Sequence, residues 1–437
     1  MLRRTLTLAG ALGALAILTS SGFAQEAAPQ VQSIIHAGRL LADPATGRVA
    51  TEQSILIGAD GRVIGIEAGY VTRDGATIID QRERFVLPGL IDSHVHLANE
   101  LGPMRIYDAV LLTPADAALR AAQNGRTNLL AGFTTVADLG APNDAIFALR
   151  RAINEGRIVG PRIIASGRSI TPDGGHGDAQ AFQPDVLHVL RSESACSGAD
   201  ECRRDVRRQI QAGADVIKIT ATGGVLSNTA AGVGQQLSDD ELSAIVEAAH
   251  AMGRRVTAHA HGVDGINAAL RAGVDSIEHG SYIDRESVRL LRQGDRYLVP
   301  TLLAGWWVGQ LAEQGGTLTP AQTTKARQVS RDMANMGRFA RQNRVRIAFG
   351  TDTGVSPHGM NAREFQLLVD AGFTPLQTIQ MATINAADHL QLSGTAGRIA
   401  AGYSADIIAV DSDPTQDVET LMTVRFVMAR GTTHKDE

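Results

Sequence analysis

The sequence predicts an α/β chain: a (β/α)8 TIM barrel with a small β-sandwich formed jointly by the N- and C-terminal segments. Three observations carry this. Eight β-prone runs alternate with helical patterns between residues 88 and 394, both flanking segments are rich in short strands and glycine turns, and 437 residues suffice for one large barrel plus an accessory unit.

The chain opens Met1-Leu2-Arg3-Arg4, continues with an apolar run from Leu6 to Leu18, and reaches the small residues of Gly22-Phe23-Ala24. A basic start, a short apolar stretch and small residues before a cut mark a cleavable export signal. Residues 1–24 are therefore expected to be removed, with the mature protein starting near Gln25 in the periplasm or outside the cell. The apolar run is short of the roughly 20 residues that span a bilayer, so no stable membrane anchor is expected afterwards.

In residues 25–87, SIIHAGRLLADPATG, QSILIGADGRVIGIEAG and ATIIDQRERFVLPG alternate β-prone runs with glycine turns, as strands and hairpins do. The tail, 395–437, behaves alike in ADIIAVDSD and VRFVMARG. Both ends share a character that the middle lacks, so they are expected to meet as the two parts of one sandwich.

The barrel strands, within 88–394, are expected in LPGLIDSHVHL, GFTTVADLG, PRIIASGRS, ADVIKITATGG, RRVTAHAHG, VDSIEHG, YLVPTLLA and VRIAFGTDTG. Amphipathic stretches separate them. In SDDELSAIVEAAHAMG, Ser238 and Glu241 make a capping box, Ile245, Ala248 and Ala249 recur at helical spacing, and Gly253 ends the helix. Cys196 and Cys202, the only cysteines, lie in the polar stretch SESACSGADEC; in an exported protein they are expected to pair as a small loop disulfide. A metal site there would need further Cys or His partners nearby, and the sequence has none. A net charge of −5 without a basic run excludes the electrostatic footprint of a nucleic-acid binder.

In a barrel of this kind the active site lies at the C-terminal ends of the strands. The first run ends in His94 and His96, the fourth carries Lys218, the fifth ends in His259 and His261, the sixth in His279 and the eighth in Asp352. Side chains alternate along a strand, so each His-x-His pair shares a face. One strand-end histidine alone is an ordinary core residue. Five of the twelve histidines on three strand ends, with an aspartate on the last, form the imidazole and carboxylate set that Zn2+ prefers, in the number a pair of hydrolytic metals needs.

On VIKIT, Val216, Lys218 and Thr220 face the lumen while Ile217 and Ile219 face the helices. An inward ammonium beside cationic metals is costly. Lys218 is either paired with a buried carboxylate or has reacted with CO2 to give an anionic carbamate. Asp92, on the face of His94, is a candidate to orient an imidazole, with a structural turn role as the rival. Trp306 and Trp307 wall a pocket for an aromatic or apolar group, or form a surface or oligomer contact.

Together PGLIDSHVHL, VIKITATGG, VTAHAHG, SIEHG and FGTDTG resemble the motifs of the metal-dependent amidohydrolase superfamily. The likeness is strongest to its imidazolonepropionase-related branch of prolidase-like Xaa-Arg or Xaa-Lys dipeptidases and N-acyl-amino-acid hydrolases, which includes ochratoxin-cleaving enzymes. The resemblance implies two divalent ions, zinc for preference. His94, His96 and Asp352 would bind the more buried ion and His259 and His279 the more exposed one, with N6-carboxylated Lys218 as the bridge. It also implies cleavage of an amide or peptide bond by a water that both cations acidify, with Asp352 as the proton acceptor. His176, in TPDGGHGD, resembles the histidine that reaches the substrate carbonyl or carboxylate, assisted by His261. The partners expected are a small amide or dipeptide and further copies of the chain.

A deaminase or cyclic amide hydrolase on the same scaffold is the second reading. Mononuclear deaminases of this superfamily lack the lysine and carry a glutamate near the fifth-strand histidine, and HAHG has none. A non-catalytic barrel is third, and the complete ligand pattern argues against it.

Overall fold

The computed structural model describes residues 30–228 and 232–437, so the expected leader, 1–24, lies outside the described residues. The leading segment lays down strands β1 (Val31–Leu40), β2 (Ala50–Gly58), β3 (Val63–Ala68) and β4 (Thr77–Pro88). The middle supplies β5 (Leu90–Val95), β6 (Phe133–Asp138) and β7 (Arg162–Ala165), a side ribbon of β8 (Thr171–Pro172) and β9 (Ala195–Cys196), then β10 (Val216–Thr220), β11 (Arg255–Ala260), β12 (Ser276–His279) and β13 (Tyr297–Val299). The tail adds β14 (Ile407–Val410), β15 (Phe426–Ala429) and β16 (Thr432–Asp436).

Strands β5 to β7 pair in parallel, as do β10 to β13. Two seams close them into a barrel. On one side Ile170 N donates to Lys218 O (2.8 Å) and Thr220 N to Ile170 O (3.0 Å). On the other, residues 346–353 act as the eighth stave: Leu298 N donates to Arg346 O (2.9 Å), Ser93 N to Phe349 O (2.8 Å) and Asp352 N to His94 O (2.7 Å). This stave is not a regular strand, because Asp352 adopts a left-handed backbone (φ 57°) that breaks the ladder. The seventh run is also shorter than its sequence suggests. Pro300 has no N–H to donate, and Thr301 (φ 47°) turns the chain directly into the helix Leu302–Gln314.

Both chain ends enter one sheet, ordered β16-β15-β14-β4-β1-β2-β3. It curls back on itself, since Val63 N donates to Tyr403 O and Gly402 N to Val63 O (both 2.9 Å), tying the far edge to the segment that enters β14. Ile35, Ile55, Ile57, Val63, Val86, Ile407, Phe426 and Met428 fill the space enclosed. The expected sandwich is thus one continuous sheet wrapped around a core of its own.

The helix Asp239–Ala251 begins at the Ser238–Glu241 capping box, buries Leu242, Ile245 and Ala249, and is followed by Gly253 in a left-handed conformation (φ 69°). Beyond β13, the helices Leu302–Gln314 and Pro320–Gln342 form a hairpin over the rim. Their close approach needs glycine: a Cβ on Gly305 would lie 2.5 Å from Met333 Sδ, and one on Gly309 2.4 Å from Ser330 Oγ. Cys196 and Cys202 form a disulfide. It joins β9 to the helix Ala199–Ala212, and both cysteines are fully buried in the main core rather than in an exposed loop. Among the described residues, no helix is long and apolar enough to cross a membrane.

Candidate active site

The strand-end side chains converge at the C-terminal mouth of the barrel. His94 on β5 and His96 just after it share a face, with their Nε2 atoms 3.4 Å apart. Lys218 Nζ on β10 lies 3.3 Å from His94 Nε2. The eighth stave brings Asp352 Oδ1 to 3.5 Å from His94 Nε2 and 3.2 Å from His96 Nε2. His259 and His261 on and after β11 and His279 on β12 complete the ring. The centroid of His279 is 4.7 Å from that of His259, 4.9 Å from that of His261 and 5.2 Å from that of His94.

Hydrogen bonds decide which nitrogen faces inward. His96 Nδ1 lies 3.0 Å from the Gly140 carbonyl and His94 Nδ1 2.8 Å from Glu278 Oε2. Each acceptor takes an Nδ1–H, so in both rings Nε2 is the nitrogen that faces Asp352. Asp352 Oδ1 is buried there without a hydrogen-bond partner. Electron-rich atoms packed this closely repel unless a cation sits among them. The ligand atoms of His94, His279 and Asp352 lie within 4.8 Å of one another, as do those of His259, His261 and His279. These residues therefore fit a divalent cation, in two groups that share His279.

The electrostatics agree. Burial holds His94, His259 and His279 well below the usual imidazole range, so all three are neutral. Burial also pulls His96 down, but the neighbouring carboxylates of Asp352 and Asp138 outweigh this and raise it. Asp352 is held below the usual carboxylate range because His94, His96 and Lys218 outweigh the burial that opposes them. Lys218 is lowered by burial, only partly offset by Glu278, Asp352 and Asp138.

Local backbone geometry explains how adjacent residues reach one lumen. Glu278 faces inward on β12, so alternation alone would turn His279 outward; its left-handed backbone (φ 69°) reverses that. Thr301, also left-handed, places its hydroxyl 2.7 Å from His279 Nδ1. Such non-glycine residues cost about 1–3 kcal/mol each and cluster at functional sites.

His176 and His261 both join the cluster. The His176 ring stacks on His259 at 4.1 Å and 19°. Gly224 makes room for it, since a Cβ there would sit 2.3 Å from the ring. Burial, reinforced by His261, Arg105 and Lys325, lowers His176 to about 3 and keeps it neutral. His261 Nδ1 lies 2.7 Å from Ser281 Oγ, and burial lowers this ring to about 4. Trp306 and Trp307 lie on the rim helix Leu302–Gln314, with the Arg363 guanidinium 5.5 Å above the Trp306 ring.

Asp92 does not orient an imidazole. It staples two staves together, accepting from His94 N and Thr351 N (both 3.1 Å), Thr351 Oγ1 (2.6 Å) and Asn361 Nδ2 (2.7 Å). Its position on the face of His94 suggested a ring contact, but the eighth stave passes closer and takes the carboxylate. The imidazole partner is Glu278, which sequence reasoning missed. The available signal was SIEHG, an acidic residue at an inward strand position immediately before a candidate ligand. Asp138 was missed as well; it accepts from Leu97 N (2.7 Å) and Gly140 N (3.2 Å), fixing the carbonyl that holds His96.

Comparison with known proteins places this geometry. Residues 85–433 match the amidohydrolase family. An ochratoxinase from Aspergillus niger is 32% identical over 419 residues, covering 90% of this chain and 84% of its own. Among solved structures, a Xaa-Pro dipeptidase with methionine bound in its active site superposes with a TM-score of 0.87 at 35% identity, over 92% of this chain and 99% of its own. The A. niger ochratoxinase structure superposes with a TM-score of 0.80 at 29% identity, over 93% and 97%. With a family match over residues 85–433 and relatives that share its fold and nearly its whole length, the chain belongs to the amidohydrolase family and is a hydrolase acting on amide bonds.

Proposed function

We propose that the chain hydrolyses the C–N bond of an N-acyl amino acid or a dipeptide, using two divalent cations, zinc in both positions. The observation that carries this is the convergence of His94 and His96 Nε2 on a buried Asp352 Oδ1 that has no hydrogen-bond partner. His94, His96 and Asp352 would hold one ion and His259 and His279 the other. Lys218 would bridge them after its ε-amine adds CO2 and loses a proton, turning a cation among the ligands into an anion. Cations so placed acidify a water and polarise a carbonyl.

The chain's own residues handle protons and position the substrate. Asp352 takes the proton of the attacking water and passes it to the departing amine as the C–O bond forms and the C–N bond breaks. His176 and His261, both neutral, line the approach and donate to the substrate carbonyl. A neutral imidazole is a poor anchor for a carboxylate, and the field of Arg105 reaches His176 while burial alone, with no carboxylate partner among the described residues, perturbs its guanidinium. Arg105 is therefore assigned to the free α-carboxylate of the amine half. The names of the ochratoxinase and the Xaa-Pro dipeptidase support this substrate class. We read the protein as exported to the periplasm, in keeping with the disulfide. We also read it as a homo-oligomer, in keeping with exposed Met104, Tyr107, Val110 and Leu111 beside the mouth.

Metal analysis of purified protein, followed by a screen of dipeptides and N-acyl amino acids, tests the reading. About two divalent ions per chain, activity lost to chelation and restored by Zn2+, and release of a free amino acid are expected. Full activity without metal, or ammonia release from a nucleobase with no acyl-amino-acid cleavage, would overturn it.

A further inference from the structure

We infer that Glu278 is a positioning residue for the cation site, fixing the tautomer of His94 so that Nε2 keeps a free lone pair toward Lys218, His96 and Asp352. This rests on reading the histidine ring as a metal site. A neutral imidazole has two tautomers, and only the one protonated on Nδ1 leaves Nε2 able to bind a metal. Glu278 Oε2, 2.8 Å from His94 Nδ1, selects that form.

Glu278 is itself held from several sides. Its Oε1 accepts from Thr257 Oγ1 and from Ser276 Oγ (3.1 Å), and Ser276 Oγ also lies 2.7 Å from Thr257 Oγ1. Glu278 is paired in register with His259 across β11 and β12, and is followed in sequence by His279. One side chain thus touches β5, β11 and β12, the strands that carry every histidine of the ring except His176. A fully buried carboxylate is expensive, and an apolar residue of similar volume would fill the lumen at less cost. Its placement is explained if the carboxylate serves the imidazole, as the outer partners of metal-bound histidines do.

Glu278→Gln separates positioning from packing. The amide keeps the shape, can still accept from His94 and can donate to both hydroxyls, but it is a weaker, uncharged acceptor. The dissociation constant for Zn2+, measured by competition with a chromophoric chelator, is expected to rise roughly tenfold to a hundredfold. The melting temperature of the metal-free protein should stay within a few degrees of wild type, which a purely structural loss would not allow. In a His94→Ala background the same substitution should have almost no further effect on affinity, because the two residues act as one unit. If Glu278→Gln fails to fold, Thr257→Val, which removes one of the donors that hold the carboxylate, should weaken Zn2+ binding in the same direction. Unchanged affinity in a folded variant, or an equal loss with and without His94, overturns the assignment while leaving the metal site standing. A wild-type protein that binds no Zn2+ overturns the metal reading itself.

Discussion

His389 offers a quantitative test of burial at the opposite end of the barrel from the histidine ring. It ends the short helix Ala386–His389 and lines a small cavity at the barrel floor with Ser93, Thr257, Ser276 and Arg255. The ring is buried, its Nδ1 has no hydrogen-bond partner, and its centroid lies 5.3 Å from that of Tyr297. Burial lowers it to about 4, with Glu278 and Asp388 opposing only in part, against about 6.5 in the unfolded chain. Because the folded value is the lower one, the unfolded state takes up the proton first as pH falls. Stability is therefore drained below about pH 6.5, at about 1.4 kcal/mol per pH unit, until the native ring also protonates near pH 4. The total is roughly 3 kcal/mol, of which about 2 kcal/mol is already lost at pH 5. His389→Leu removes this term together with an unsatisfied buried nitrogen, so at pH 7.5 it should lie within about 1 kcal/mol of wild type. At pH 5 it should be the more stable protein by about 2 kcal/mol. Urea unfolding of both proteins at the two pH values, with the same saturating metal, reads the difference, since protonation of the other histidines is common to both. An equal difference at both pH values would mean that native His389 titrates normally, and the burial argument would fail.

Lys218→Ala should lower both metal occupancy and rate, with partial rescue by short carboxylic acids; wild-type turnover in that variant would sink the carbamate. Arg105→Ala should raise KM for an N-acyl amino acid about tenfold to a hundredfold, the equivalent of one charge-assisted hydrogen bond, while leaving KM for its C-terminal amide unchanged. Equal shifts for both substrates would remove Arg105 from carboxylate binding. Replacing both Cys196 and Cys202 with Ala opens a loop with a sequence separation of 6, which should cost about 2 kcal/mol in urea unfolding through the entropy of the unfolded chain. No loss, or labelling of two free thiols in unreduced protein, would contradict the bridge.

The legible part of the site is the part governed by alternation along a strand. Lys218 on VIKIT and the His-x-His pairs of β5 and the fifth stave need only a period of two to be aimed into the lumen, and the structure places them there. Tertiary partners were not legible from local pattern. Glu278 and His94 are 184 positions apart, and Asp92 is 259 from Thr351 and 269 from Asn361. An inward acid reads the same in sequence whether it holds a ring, a backbone or a salt bridge. The pairing of Cys196 with Cys202 was legible, but its setting was not: a polar local sequence hid the fact that both face the main core.

The remaining misreadings share a cause with the site itself. His279, Thr301 and Asp352 all adopt left-handed backbones, and at each of them strand regularity ends. A sequence rule built on regular elements must fail at such residues, and these residues carry or hold candidate ligands: His279 as a ligand, Thr301 as the hydroxyl on its Nδ1, and Asp352 as the carboxylate facing two imidazoles. Strain at three neighbouring staves would be lost to drift unless it gained something in return, and converging ligand atoms on one point is that gain. Local departures from alternation at the mouth of a barrel therefore locate its chemistry as well as the histidines do.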